Sequence, residues 1–288
     1  MLYAFDGTWN KDKEGTEHDT NVLWFRQAYD GDAVYWKGVG TRFGILGEAI
    51  GGMTGAGGRT RVRESFRQLV LSVDAGDDVI DIVGFSRGSA LALHFANMIQ
   101  DARPELSIRF LGLWDCVPSF GAASIDWNIG WDLELPDNVR KCYHALALDE
   151  RRHTFDLHRL SAQVAASQEE GRLFEVWFRG VHSDVGGGNN NPGLSSITLN
   201  WMLRKAISCG LPIRADQVAE NAKRMTPGCE QSKGPWYDLI KQPYRAVKWD
   251  DDIHNSVTFD PENGCNNPPD GADLVDDNGP LPQKFARK

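Results

Sequence analysis

Cysteine is scarce in this chain. Its five residues, Cys116, Cys142, Cys209, Cys229 and Cys265, show no CxxC pair and no finger-like spacing. An odd count leaves at least one thiol unpaired within the chain. Buried, reduced thiols are the expectation. A basic surplus is absent too. The 31 lysines and arginines are outnumbered by 40 aspartates and glutamates, for a formal net charge of −9, which argues against a nucleic-acid partner. No run of about 18 apolar residues occurs, so no membrane-spanning helix is expected. The opening MLYAFDGTWNKDKEG lacks the basic stretch and long apolar run of a secretory signal. The expectation is a protein cytoplasmic as synthesised, with export open to a system that needs no cleaved signal.

Three phosphate-handling patterns also fail. In the glycine-rich stretch Gly38 to Gly58, the candidate Walker A loop Gly52 to Gly57 is followed by Gly58, where lysine is required. A dinucleotide fingerprint from Gly38-Val39-Gly40 would need glycine in place of Phe43. A flexible loop or active-site lid is the better reading of this stretch. Haloacid-dehalogenase phosphatases carry DGT, as here at Asp6 to Thr8, but with a nucleophilic aspartate two residues earlier; that position is Ala4. No metal or organic cofactor is implied.

What is present is an alternation of strand-like and helix-like segments, the pattern of an α/β sheet. Hydrophobic residues make up 41% of the 288, enough for a sizeable core. Leu2–Phe5 and Ala33–Trp36 read as short strands, and Val79–Phe85, β-branched and apolar, as a central parallel one. Arg109–Trp114, Tyr143–Leu148 and Phe174–Phe178 follow as further strands. Helices are expected over Arg61–Val73, Ser89–Ile99 and Ser196–Ser208. After residue 210 the pattern weakens. The predicted organisation is a core over 1–210 and a loop-rich appendage or lid over 211–288, packed on the core and ending in a loosely ordered tail.

The strongest chemical signal is Gly84-Phe85-Ser86-Arg87-Gly88, a GxSxG pentapeptide with a buried strand running into it and a helix running out. That context turns the serine sharply and exposes its hydroxyl above the sheet, so Ser86 is the candidate nucleophile. The helix N-terminus favours a developing oxyanion, which makes the Arg87 backbone N–H a candidate donor. Gly7 and Thr8, in the turn after the first strand, are candidates for a second donor, although a turn with a helix cap is an equally good reading. His182, just past the strand FEVWF and before three glycines, is the candidate base; His254 in DIHNSV is its rival. Asp115 and Asp149 both end strands, where α/β active sites gather, and the local pattern does not separate them as the acid. Arg59, Arg61, Arg63 and Arg67 form a solvated helix face, with contact to anionic lipid headgroups as the alternative.

Taken in order, FDGTWN, TNV, GFSRGS, LWDCVPSFG, HALALDERR, VWFRGVHSDVGGG and IHNSV resemble the uncharacterised α/β-hydrolase domain family that includes phospholipase effectors of bacterial type VI secretion. The resemblance runs from Leu2 to about Val257. It implies an α/β-hydrolase fold, a Ser–Asp–His triad and hydrolysis of phospholipid acyl esters. The family's acidic residue sits in its LWD segment, which favours Asp115 over Asp149. It further implies a lipid substrate, peripheral membrane contact, and a secretion-apparatus or immunity-protein partner. Two departures stand out. Ser89 replaces the usual alanine of FSRGA, and the chain is too short for the membrane-engaging regions of larger effectors. A carboxylesterase for small soluble esters and a catalytically silent binding module are the alternatives.

Overall fold

Side chains alternate across a strand, and that alternation decides how this molecule is layered. In the computed structural model, the described residues are 1–7, 19–38, 55–118, 130–152, 154–161, 171–189, 191–228, 231–233 and 243–287. They form β1 (Leu2–Phe5), α1 (Asn21–Ala28), β2 (Ala33–Trp36), α2 (Gly55–Asp74), β3 (Ile80–Phe85), α3 (Arg87–Ala102), β4 (Ile108–Trp114) and β5 (Cys142–Ala147). Then come β6 (Leu173–Phe178), α4 (His182–Gly186), α5 (Pro192–Ser208), α6 (Ala215–Arg224), β7 (Asp252–His254), β8 (Asp273–Val275) and β9 (Pro280–Lys284). On β1, Leu2 and Ala4 enter the core beneath α1, α5 and α6, with Val22, Phe25, Leu194 and Val218. Tyr3 and Phe5 enter the opposite core, beneath α2 and α3, with Val62, Leu69, Leu93 and Phe95. Coverage on both faces is why the central strands read as nearly unbroken apolar runs.

The strands join one sheet in the order β2-β1-β3-β4-β5-β6-β7-β8-β9. Every neighbouring pair is parallel except β8 with β9. The chain steps outward from β1 to β2, returns to β3 and then progresses the other way. The order therefore reverses between β1 and β3, and the crevice outside the carboxyl ends of strands at such a switch point is where open α/β sheets bind ligands. This is the expected α/β architecture.

The segment beyond residue 210 differs from the expected appendage. β7 extends the sheet by pairing Val176 with Asp252 and Trp177 with Ile253, and β8 and β9 continue it. A third apolar cluster joins Leu146, Leu148 and Trp177 to Ile253, Val257, Ala272 and Phe285. β7 and β8 are three residues each, too short for a periodicity to announce them. The short α1 was not expected either; Thr20 caps it, accepting from the Leu23 N–H at 3.4 Å.

Candidate active site

The elbow is built from local geometry. β3 is buried throughout and delivers Ser86 at φ 58° and ψ −125°, with α3 starting at Arg87. A non-glycine residue held there costs about 1–3 kcal/mol, which the surroundings must offset. They do so through the backbone. The Ser86 N–H donates to the Trp114 carbonyl at 2.9 Å, and the Ser86 carbonyl accepts from Ser89 at 3.0 Å and Val117 at 3.3 Å. Gly88 makes the turn sterically possible, since a Cβ there would sit 2.1 Å from the Phe5 carbonyl oxygen. Among the described residues, the non-glycine positions with positive φ are Ser86 and Asp115, at 58° and 41°. Strain is concentrated at the carboxyl ends of β3 and β4.

Asp115 is fully buried, and its carboxylate accepts four hydrogen bonds. Oδ1 takes the Ala147 N–H at 2.9 Å and Arg245 Nη1 at 2.7 Å; Oδ2 takes Arg245 Nη2 at 3.2 Å and lies 2.6 Å from His182 Nδ1. Burial alone would raise the carboxyl's pKa. The Arg245 charge and the His182 bond outweigh it and hold the group well below the usual carboxylate range. An ionised carboxylate only accepts, so His182 donates its Nδ1–H in this bond. The imidazole packs against two aromatic rings, with centroids 4.6 Å from Phe85, the neighbour of Ser86, and 4.8 Å from Phe155.

His182 opens α4 rather than sitting in an open loop. Its N–H donates to Glu150 Oε2 at 3.2 Å, and Asp184 reaches back to the Val181 N–H at 3.1 Å. The glycines that follow permit a close approach to the elbow. A Cβ on Gly186 would fall 1.9 Å from the Phe85 ring.

The other candidates lie elsewhere or are engaged. Asp149 is buried with its carboxylate taken up by Arg179 at 2.8 Å and by the Gly180 and Asn266 N–H groups, each at 2.7 Å. Burial raises its pKa, with Arg179 opposing. His254 ends β7, three strands beyond β4; its ring stacks on Phe178 and bonds Ser256 at 2.8 Å and Asp277 at 3.4 Å. Gly7 does lie against the elbow, since its Cβ would be 3.2 Å from that of Ser86. Its N–H, however, donates to Asp6 Oδ1 at 2.7 Å, within a cluster in which Thr20 and Tyr35 donate to Asp6 Oδ2. An oxyanion role for that N–H requires the bond to Asp6 to open. Thr8 and residues 39–54 of the glycine-rich stretch lie outside the described residues. The Arg87 guanidinium is pushed down to about 10 by burial. On α2, Arg59, Arg63 and Arg67 are exposed; Arg67 pairs with Glu64 at 3.0 Å and Arg59 stacks over Trp131.

Three contributors escaped the sequence reading. Arg245, Glu150 and Phe155 carried no local signal. A fourth feature had one: charged residues inside buried strands. His144 on β5 and Glu175 on β6 pair at 3.0 Å, and His144 Nε2 accepts the Cys116 N–H at 3.1 Å, fixing the backbone just after Asp115. Burial would raise the Glu175 carboxyl, but His144 and Arg159 bring it down to about 2. Among the described residues, no cluster of three His, Cys, Asp or Glu could hold a metal ion, and no helix is long and apolar enough to cross a membrane.

The class these observations define is an α/β protein of the α/β-hydrolase type, with a serine at a strand–helix elbow and a histidine–aspartate pair brought together from beyond the carboxyl ends of β6 and β4. More narrowly, the chain belongs to the family of type VI secretion (T6SS) phospholipase effector Tle1-like catalytic domains, whose model matches residues 1–103 and 99–205. In fold it is similar to an uncharacterized protein from Pseudomonas aeruginosa whose crystal structure is known. The identity is 22% and the TM-score 0.51, over 83% of this chain and 52% of that one. The structure of the Tle1 effector bound to the VgrG spike of the type VI secretion system also overlaps, at 22% identity and TM-score 0.46, over 67% of this chain and 51% of that one. An uncharacterized Saccharomyces cerevisiae protein is 39% identical over 59 residues, which is 19% of this chain and 9% of that protein. The chain thus spans about half the length of the solved structures it matches.

Proposed function

We propose that this chain is a serine ester hydrolase that cleaves acyl esters of phospholipids. In this reading Nε2 of His182 takes the proton of Ser86 as its hydroxyl attacks the ester carbonyl, and Asp115 holds the imidazole in the Nδ1–H tautomer and stabilises the imidazolium. The oxyanion is received by the Arg87 N–H at the start of α3, at the positive end of the helix dipole, and by a second N–H from Gly7, once its bond to Asp6 opens, or from Thr8. The imidazolium then protonates the leaving alcohol, and water releases the acyl group by the same route. The observation that carries the reading is the 2.6 Å bond from His182 to Asp115 on a ring packed against Phe85, the residue before the strained serine. Membership of a phospholipase effector family supports the substrate class. By the same membership, the proposed partner outside the reaction is a type VI secretion apparatus, which would export the protein without a cleaved signal.

Labelling with a fluorophosphonate probe tests the nucleophile, and a panel of fluorogenic phospholipids and short-chain esters tests the substrate. The native protein should label and turn over phospholipid, and Ser86→Ala should lose both, with kcat down by about 10⁴–10⁶. No labelling of the native protein would sink the serine mechanism and favour a silent binding module. Rapid turnover of short esters alone would replace phospholipid by small soluble esters.

A further inference from the structure

Arg245 lies outside the residues matched by the family model, yet it bonds the centre of the site. It reaches Asp115 from 130 residues away in sequence, with only 11% of its side chain exposed. Its guanidinium is spent on four acceptors. Two are the oxygens of Asp115, at 2.7 and 3.2 Å; the others are the carbonyls of Ala147 and Phe155, each at 2.8 Å. Phe155 is also the ring that packs on His182. One side chain therefore grips both the carboxylate that bonds the imidazole and the backbone of the aromatic wall beside it.

We propose that Arg245 is a positioning residue for the Ser86 reaction, clamping Asp115 against His182 and keeping a proton off the Asp115–His182 pair at neutral pH. The inference rests on the hydrolase reading above. Its physical basis is that a fully buried carboxylate stays ionised only when paired, and a planar fork fixes both its charge and its orientation. A cation at this distance also works against any proton added to the pair. If Arg245 is neutralised, the first proton binds more tightly whether it resides on the imidazole or on the carboxylate, because the pair titrates as a unit. Of the other charges near the pair, the buried Asp184 on α4 is bonded to the Val181 N–H, Asn189 and the Ser232 N–H, and two further carboxylates are ion-paired. Glu150, behind the His182 N–H, is paired with Arg152 at 2.7 Å, and Asp149 beside it is paired with Arg179 at 2.8 Å. Cys116, next to Asp115, is held in its neutral thiol form by burial first and then by the nearby Asp115 and Glu175 charges. Arg245 is the bonded cation whose removal leaves Asp115 uncompensated.

The test is the pH profile of kcat/KM for Arg245→Gln and Arg245→Lys in the full chain, with folding checked by circular dichroism. For Arg245→Gln the acid limb should move to higher pH by about one unit, the scale of a close opposite charge. For Arg245→Lys the limb should stay in place while kcat falls about tenfold or more, since a point charge does not reproduce the fork. A residue that served only as structural glue would change the melting temperature and leave the acid limb unmoved. An unmoved limb in a folded Gln variant overturns the proposal, as does a native kcat in the Lys variant, which decides alone if the Gln variant does not fold. Ser86→Ala separates the two levels. Its inactivity together with an unmoved Gln limb defeats only the role of Arg245, whereas its full activity defeats the hydrolase reading itself.

Discussion

Replacing Asp115 by asparagine removes one charge and converts one acceptor oxygen into a donor, and the structure says what each change costs. The carboxylate accepts from Ala147, His182 and both Arg245 terminal nitrogens. Whichever way the amide is turned, its NH₂ faces an N–H donor, and Arg245 is left buried without its counter-ion. Breaking a buried pair in this way costs about 3–5 kcal/mol. For 288 residues with an unfolding entropy of about 2.1 cal/mol/K each, 4 kcal/mol corresponds to a fall of roughly 7 °C in Tm. Catalysis should suffer separately, because an amide cannot hold the Nδ1–H tautomer or stabilise the imidazolium; a loss of about 10⁴ in kcat is expected. Asp149→Asn provides the control. It likewise strips a buried arginine, Arg179, of its partner and should lower Tm by a similar amount, but it should keep most of the turnover. Thermal melts and turnover on the same preparations check both. Near-native turnover in Asp115→Asn, or its abolition in a folded Asp149→Asn, would refute the assignment of the acid.

The remaining expectations concern the base, the elbow and the far edge of the sheet. His182→Ala should match Ser86→Ala in severity while His254→Ala remains active, and native turnover should fall on the acid side, since a protonated imidazole cannot accept the serine proton. Gly88→Ala would place a Cβ 2.1 Å from the Phe5 carbonyl oxygen, so α3 must shift; urea melts should show a loss of about 3 kcal/mol or more, with slower probe labelling of Ser86. At β7, burial, then Asp273 and Asp251, push the Asp252 carboxyl up to about 6. A raised carboxyl contributes stability below its unfolded value that is lost as pH rises through the folded one. Asp252→Asn should therefore gain about 1 kcal/mol at pH 8, after allowing for solvent screening, and almost nothing at pH 4. Paired melts at the two pH values decide it.

How much of this was legible varies by residue. The elbow was, because its causes are local: an apolar β-branched run makes β3, and glycine at 88 lets α3 abut the end of β1. The position of His182 after β6 was legible for the same reason, although the α4 turn it opens was not. The membership of β7 and β8 in the sheet was hidden, since three residues carry no period. Asp115 and Asp149 could not be told apart locally, because each ends a parallel strand before a polar cluster. What separates them is which partner arrives: His182 and Arg245 for Asp115, from 67 and 130 residues away, and Arg179 for Asp149, from 30. The sequence by itself therefore determined the α/β alternation, the strained serine and the strand ends that could bear its partners, because backbone sterics and burial periodicity act over a few residues. Only the tertiary structure decided which buried carboxylate meets the histidine and which arginine neutralises it, because a buried charge is settled by the groups that reach hydrogen-bonding distance, and those come from anywhere in the chain.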